Sequence, residues 1–170
     1  MDEPVRSIPA LLEDYLRMPG KLQAALKGLS EGQLNRRLAA GGWSIRAYVM
    51  HTVDGENLLQ TTLRAALGVD GTRLPFDWYF QLTQDEWAEH WAYDRRSLAL
   101  AIQRYQASTE SFVDMMRQLP AEVWERAGHV TWPGRSESTR LTVRNIVEIN
   151  LGHLDGHIDD IRLIRAEHGI

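Results

Sequence analysis

The chain of 170 residues contains no cysteine. This absence excludes disulfide bonds, thiolate metal ligands and a cysteine nucleophile, so any metal ligand must be a histidine or a carboxylate. Among the 19 basic residues only Lys21 and Lys27 are lysines, and the arginines are scattered along the chain. Because 23 acidic residues give a net charge of -4, we expect no nucleic-acid partner.

Long apolar runs are also absent. The N-terminal stretch MDEPVRSIPALLEDYL opens with acidic residues and has neither a basic region nor a long apolar segment. We therefore expect no signal peptide and no membrane anchor, which favours a cytoplasmic protein. The length and the 44% hydrophobic content fit one globular domain spanning residues 1–170.

The sequence predicts helices but no strands, since no stretch of useful length alternates apolar and polar residues. Apolar residues recur at helical spacing from about residue 8 to 29, where Pro19-Gly20 predicts one bent helix or two short ones. Ser44 is a good N-cap for a second helix over Ile45 to Leu67, and Gly68 can end it.

Two further long helices follow in the second half of the chain. A seam of apolar residues at steps of three and four predicts a helix from about Asp94 to Leu119, which Pro120 ends. Thr142 is a plausible N-cap for a last helix reaching about Ala166. The four patterns together predict an all-α, up-and-down four-helix bundle with two long connections.

The long connections have features of their own. Residues 69–93 contain a capping box, Thr83-Gln-Asp-Glu, that predicts a short helix. They also contain three tryptophans that predict core packing or, alternatively, an apolar wall for a substrate: Trp78, Trp87 and Trp91. Trp43, just before the second long helix, has the same two interpretations. Residues 121–141 fit a small hairpin or an irregular loop.

Histidines on two of the helices indicate a metal site. His153 and His157 are four positions apart, so in a helix they lie about 40° apart around the axis and about 6 Å along it. Their stripe is polar at its centre and includes Asn150, and burial without partners would cost about 1–3 kcal/mol for each group. His51, on the apolar stripe of the second long helix, is the predicted third ligand.

Two carboxylates lie one helical turn from the predicted histidine ligands and could assist the metal site. Asp54 follows His51 and Asp160 follows His157, each by three residues. Either could orient an imidazole or act as a base, and we predict Asp54 as the catalytic residue. The alternative is that the three histidines are core residues hydrogen-bonded to carboxylates. We favour the metal site because all three lie on inward-facing stripes.

Two motifs resemble the DinB/YfiT-like family: GGWSIRAYVMHTVDGE, and NIVEINLGHLDGHIDDI with its HxxxH spacing. The resemblance covers nearly the whole chain. It implies a four-helix bundle that often forms homodimers, with a three-histidine site for zinc or nickel. Carried over to this chain, the implied ligands are His51, His153 and His157. Some relatives have an extra histidine at the position of Gly156, which leaves their particular substrate chemistry in doubt here.

A divalent transition metal on three imidazoles would keep an open position for water, a thiol or a substrate. Relatives that transfer low-molecular-weight thiols make a thiol-dependent transferase of small molecules our first functional hypothesis. A metal-dependent hydrolase is the enzyme alternative, and a stress-related protein with a purely structural metal is the non-enzymatic one.

Five further residues each have two interpretations. Gly152 and Gly156 flank the histidines and indicate a closely packed neighbouring helix or, alternatively, space for a substrate. Arg46, Arg140 and Arg144 lie near helix starts, where they could bind cosubstrate carboxylates or simply face solvent.

Overall fold

The computed structural model describes residues 6–170, so the first five residues of the N-terminal stretch considered above lie outside it. Within this range the chain forms α1 (Ile8–Leu26), α2 (Glu31–Leu34), α3 (Ile45–Gly68), α4 (Gln84–His90), α5 (Leu98–Arg117) and α6 (Val143–His168). Three short strands are β1 (Thr72–Arg73), β2 (Ala127–Val130) and β3 (Thr139–Thr142). The predicted all-α four-helix bundle is confirmed, with α1, α3, α5 and α6 as its long helices.

Side-chain caps fix where the helices begin. The hydroxyl of Ser44 accepts a hydrogen bond from the Ala47 amide at 3.1 Å, and that of Thr142 accepts one from the Asn145 amide at 3.0 Å. The predicted capping box of Thr83 is present at the start of α4. Such caps satisfy amides that have no partner inside the helix, and each stabilises by about 1 kcal/mol.

The long helices pack in a square. Helices α1 and α3 each pack on both α5 and α6, so α1 and α3 lie on one diagonal of the bundle. The core consists of aliphatic and aromatic side chains from all four helices. Among the helices of residues 6–170, none combines the length and apolar character needed to cross a bilayer.

The predicted start of the third long helix at Asp94 is wrong. Helix α5 begins at Leu98 after the N-cap Ser97, and Asp94 lies in a separate 3₁₀ turn over Tyr93–Arg95. The break lies at Arg96 and Ser97, whose extended backbones, with ψ 153° and 115°, separate this turn from α5. Pro19, by contrast, lies inside one continuous α1 that ends at Leu26.

A small sheet closes one side of the bundle. The hairpin considered for residues 121–141 exists, since β2 pairs antiparallel with β3. Strand β1 adds a parallel pairing with β2 that the sequence did not predict, because two residues cannot show an alternating pattern. Gly128 is required here, since a Cβ at this position would overlap the side chain of Leu74.

Candidate metal centre

The three predicted histidines lie together between α3 and α6. Nε2 of His51 is 2.9 Å from Nε2 of His153, which is 3.0 Å from Nε2 of His157. One nitrogen from each ring can be chosen so that all three lie within 4.8 Å of one another. His51 is buried and the other two are half-buried, so the cluster lies just beneath the surface.

Two aromatic side chains border the cluster. The Trp43 ring lies 4.8 Å from the His51 ring, centroid to centroid, and the Tyr48 ring lies 5.3 Å from that of His157. The Trp43 indole is held by a hydrogen bond from Nε1 to Asp85 at 2.7 Å. Trp43 therefore forms an apolar wall of the cluster, whereas Trp78, Trp87 and Trp91 pack against one another.

Hydrogen bonding alone cannot satisfy the three converging nitrogens. Nδ1 of His157 is 3.1 Å from a carboxylate oxygen of Asp160, which can only accept. The proton of a neutral His157 therefore lies on Nδ1, and Nε2 presents a lone pair. A single proton on Nε2 of His153 cannot be donated fully to both His157 and His51. A cation would use all three lone pairs at once.

The pKa values of His51 and His153 also favour neutral rings whose lone pairs can bind a cation. Burial, together with the nearby His153 and His157, lowers the pKa of His51 to about 3. Burial and the neighbouring His157 lower the pKa of His153 to about 4. Both rings are therefore neutral at pH 7, which is the form that binds a metal ion.

The donor set fits a divalent transition metal. Three imidazole nitrogens suit zinc, nickel, copper or iron and do not suit magnesium or calcium, which prefer oxygen. Nitrogens at about 2.0–2.1 Å from a tetrahedral ion lie about 3.4 Å apart. The observed separations of 2.9 and 3.0 Å are slightly shorter, so a small outward movement of the rings would accommodate the ion.

The two flanking carboxylates have different surroundings. Asp160 contacts His157, so it can orient that ring through the nitrogen that does not face the cluster. The carboxylate of Asp54 instead accepts hydrogen bonds from Arg96 and Arg104. The pairing of Asp54 with two arginines could not be predicted, since one arginine lies outside any helix and the other is fifty positions away along the chain.

The two glycines and three arginines that each had two interpretations do not join the histidine cluster. A Cβ at Gly152 or Gly156 would meet nothing within 4 Å, so no neighbouring helix packs closely there. Arg140 and Arg144 donate to the backbone carbonyls of Glu125 and Arg6. The Arg46 side chain is buried and forms an ion pair with Glu31.

Gly55 is the glycine that gives the histidines room. A Cβ there would lie 3.2 Å from Cε1 and 3.8 Å from Nδ1 of His153. That Nδ1 is buried and has no hydrogen-bond partner among the described residues, so no hydrogen bond holds the ring against a push from Gly55. A methyl group at this position would therefore displace the ring.

Gly55→Ala is expected to weaken metal binding several-fold without weakening the fold. Alanine favours a helix over glycine by about 1 kcal/mol, so the metal-free variant should be at least as stable as the wild type. Calorimetric metal titration and thermal unfolding of the metal-free protein measure the two effects. Gly152→Ala is the control, with the same helix gain and open space around the new methyl group. Equal metal affinities of the two variants would contradict the prediction.

The chain is thus a four-helix bundle in which imidazoles from two helices converge, and its sequence matches a known family. Residues 14–161 match the family model of the DinB superfamily. The chain belongs to the DinB superfamily. None of the curated proteins compared with the chain matches it.

Solved structures share the fold at low sequence identity. YfiT from Bacillus subtilis, described as a probable metal-dependent hydrolase with an unusual four-helix bundle topology, is 17% identical with a TM-score of 0.82. The match covers 99% of this chain and 93% of YfiT. A DinB-like protein from Bacillus cereus is 12% identical with a TM-score of 0.61, over 95% of this chain and 93% of that one. These likenesses confirm the fold.

Proposed function

We propose that the protein is a metal-dependent enzyme in which His51, His153 and His157 bind one zinc or nickel ion. The observation that carries the proposal is the convergence of three ring nitrogens within 4.8 Å. A divalent ion on three neutral imidazoles keeps its full charge and an open position, where it lowers the pKa of a bound water or thiol.

The surrounding side chains would position the reactants. Asp160 holds the His157 ring in one tautomer, which keeps Nε2 directed into the cluster. Trp43 and Tyr48 offer an aromatic border against which a small substrate could lie. The carboxylate of Asp54 pairs with Arg96 and Arg104 and not with the histidines. No contact with the cluster therefore supports its predicted catalytic role.

The reaction that we favour is transfer of a low-molecular-weight thiol to an electrophilic small molecule. Asp54 and Asp160 both have partners, and a thiolate needs no protein base in order to attack. The thiol proton would pass to solvent, and the sulfur would form a bond to carbon while the leaving group departs with its electron pair. Because the chain has no cysteine, the thiol must come from a cosubstrate.

Metal-dependent hydrolysis is the second candidate. It is favoured by the likeness to YfiT, which is described as a probable metal-dependent hydrolase. A metal ion held by His51, His153 and His157 would supply a water of lowered pKa as the attacking group.

Metal analysis followed by an activity screen distinguishes these reactions. We expect one transition-metal ion per chain, and conversion of electrophilic substrates only when bacillithiol, mycothiol or glutathione is present. Ester or amide cleavage without any thiol would instead identify the hydrolase. A cobalt-substituted protein whose spectrum does not change on addition of thiol or other small ligands would indicate a closed, structural site and contradict both enzyme proposals.

Homodimer formation remains a prediction from the family resemblance, and a cytoplasmic location remains a prediction from the sequence. If the chain dimerises, light scattering coupled to size-exclusion chromatography will give twice the mass of 19.4 kDa. The partners that we propose are small molecules, with no nucleic acid or membrane among them.

A further inference from the structure

A cavity lies beside α3, on a face adjacent to that of His51. It measures about 430 Å³ and is bordered by Asp54 of α3, Arg104 of α5, and Arg96 just before α5. This volume is in the range of small-molecule sites, which combine apolar walls with a few placed polar groups. The cavity has both components.

The charged end of the cavity carries surplus positive charge. The Asp54 carboxylate accepts from Nη1 and Nη2 of Arg96, the latter at 3.2 Å, and from Nη2 of Arg104 at 2.6 Å. Two guanidinium groups on one carboxylate leave a net charge of +1. The Asp54 side chain is only 11% exposed, so the shared carboxylate is anchored in the protein, whereas the two arginine side chains are 32% and 48% exposed.

Arg104 has donors to spare. An arginine side chain carries five N–H donors, and in the part of the chain that the structure describes only Nη2 of Arg104 donates to an oxygen. Its side chain is 48% exposed, so it is accessible to a ligand. Arg96 is more constrained, since its guanidinium also lies 5.9 Å from the centre of the Tyr93 ring.

The other end of the cavity is aromatic and pre-formed. Trp78 and Trp91 both border it, with ring centroids 6.3 Å apart. Trp87 packs against both rings and is fixed by a hydrogen bond from its Nε1 to the Tyr79 carbonyl at 2.8 Å. Trp78 is nevertheless 44% exposed, which leaves a large apolar surface open to a ligand.

We propose that this cavity binds a small aromatic carboxylate. The ring would lie against Trp78 and Trp91, and the carboxylate would take the spare donors of Arg104, whose fork geometry matches it. A singly charged anion would neutralise the net charge of +1, whereas a neutral compound would leave it uncompensated. Asp54 acts here as a positioning residue that holds the two arginines at the cavity. The metal centre is not required.

Calorimetric titration with 2-naphthoate and with the uncharged 2-naphthamide tests the proposal. The full chain is used both as purified and after chelator treatment, so that a failure of the metal proposal does not affect the result. We expect one naphthoate per chain, with naphthamide at least about tenfold weaker because it lacks the charge-assisted pair. No naphthoate binding, or equal binding of the acid and the amide, would overturn the proposal.

Variants assign the binding to this cavity. Arg104→Gln is expected to weaken naphthoate binding at least about tenfold and to leave naphthamide unchanged. Arg117→Gln is the matched control, because Arg117 is on the same helix, is 49% exposed and pairs with Glu13. Trp78→Ala should weaken both compounds. Naphthoate binding that survives Arg104→Gln at wild-type strength would place the ligand elsewhere and refute the assignment.

Discussion

His153→Ala is expected to weaken metal binding more than about a hundredfold. Loss of a partner that merely orients a ligand typically costs about 10-fold to 100-fold, so loss of the ligand itself should exceed that range. His153 is the central member, since its Nε2 is within 3.0 Å of both other Nε2 atoms. Competition with a chromophoric chelator, using zinc and nickel in turn, measures the dissociation constants.

The same variant separates loss of the metal from loss of the fold. The buried Nδ1 of His153 has no hydrogen-bond partner within residues 6–170, so removal of this side chain should cost the metal-free protein little stability. Added metal should raise the melting temperature of the wild type and not that of the variant. His90→Ala is the control, since His90 is exposed on α4. Wild-type metal affinity of His153→Ala would show that these histidines are not the ligands.

Sequence predicted the parts of the centre that depend on spacing within one helix. The four-residue step between His153 and His157 requires only that residues 149–160 be helical, and α6 covers all of them. The prediction of His51 also required that its stripe face the same bundle interior as the stripe of His153 and His157. The packing of α3 against α6 meets this requirement. The starts of α3 and α6 were predictable from their capping residues, Ser44 and Thr142, whereas the cap of α5, Ser97, was missed.

Contacts between distant segments could not be predicted in the same way. Arg96 and Arg104 were not singled out, because only the folded chain brings them to Asp54. The interpretation of Gly152 and Gly156 as close-packing positions was wrong, whereas Gly55, which does lie against a histidine ring, has no distinctive sequence signal. A helical pattern shows which face a residue occupies but not which side chain lies opposite.

Glu56 is the clearest case of a residue whose contacts with distant segments could not be predicted. Its carboxylate is buried in the bundle core. It is 1% exposed and accepts hydrogen bonds from the Tyr15 hydroxyl at 2.8 Å and from Gln60 Nε2 at 2.7 Å. Asn150 also donates to it. The carboxylate therefore links polar groups of α1, α3 and α6 in an otherwise apolar interior.

Glu56→Ala is expected to destabilise the fold by about 3–5 kcal/mol. Three buried groups would lose an acceptor at about 1 kcal/mol or more each, and the cavity left behind adds to the loss. Urea unfolding measures the change. Glu110→Ala, which removes an exposed carboxylate from α5, is the control and should stay within about 0.5 kcal/mol. An equally small effect for Glu56→Ala would show that the network contributes nothing.

The pH dependence of a second variant tests the charge of Glu56. Burial raises the pKa of Glu56 from its usual 4.5, although hydrogen bonds from Gln60, Tyr15 and Asn150 offset part of the rise. The stability contributed by the protonated form is fully present below pH 4.5 and is lost as the pH rises through the raised pKa. Glu56→Gln cannot ionise, so the wild type should lose stability relative to this variant as the pH rises above about 4.5. A difference in unfolding free energy that is independent of pH, or that moves the other way, would mean that Glu56 titrates normally in the folded protein.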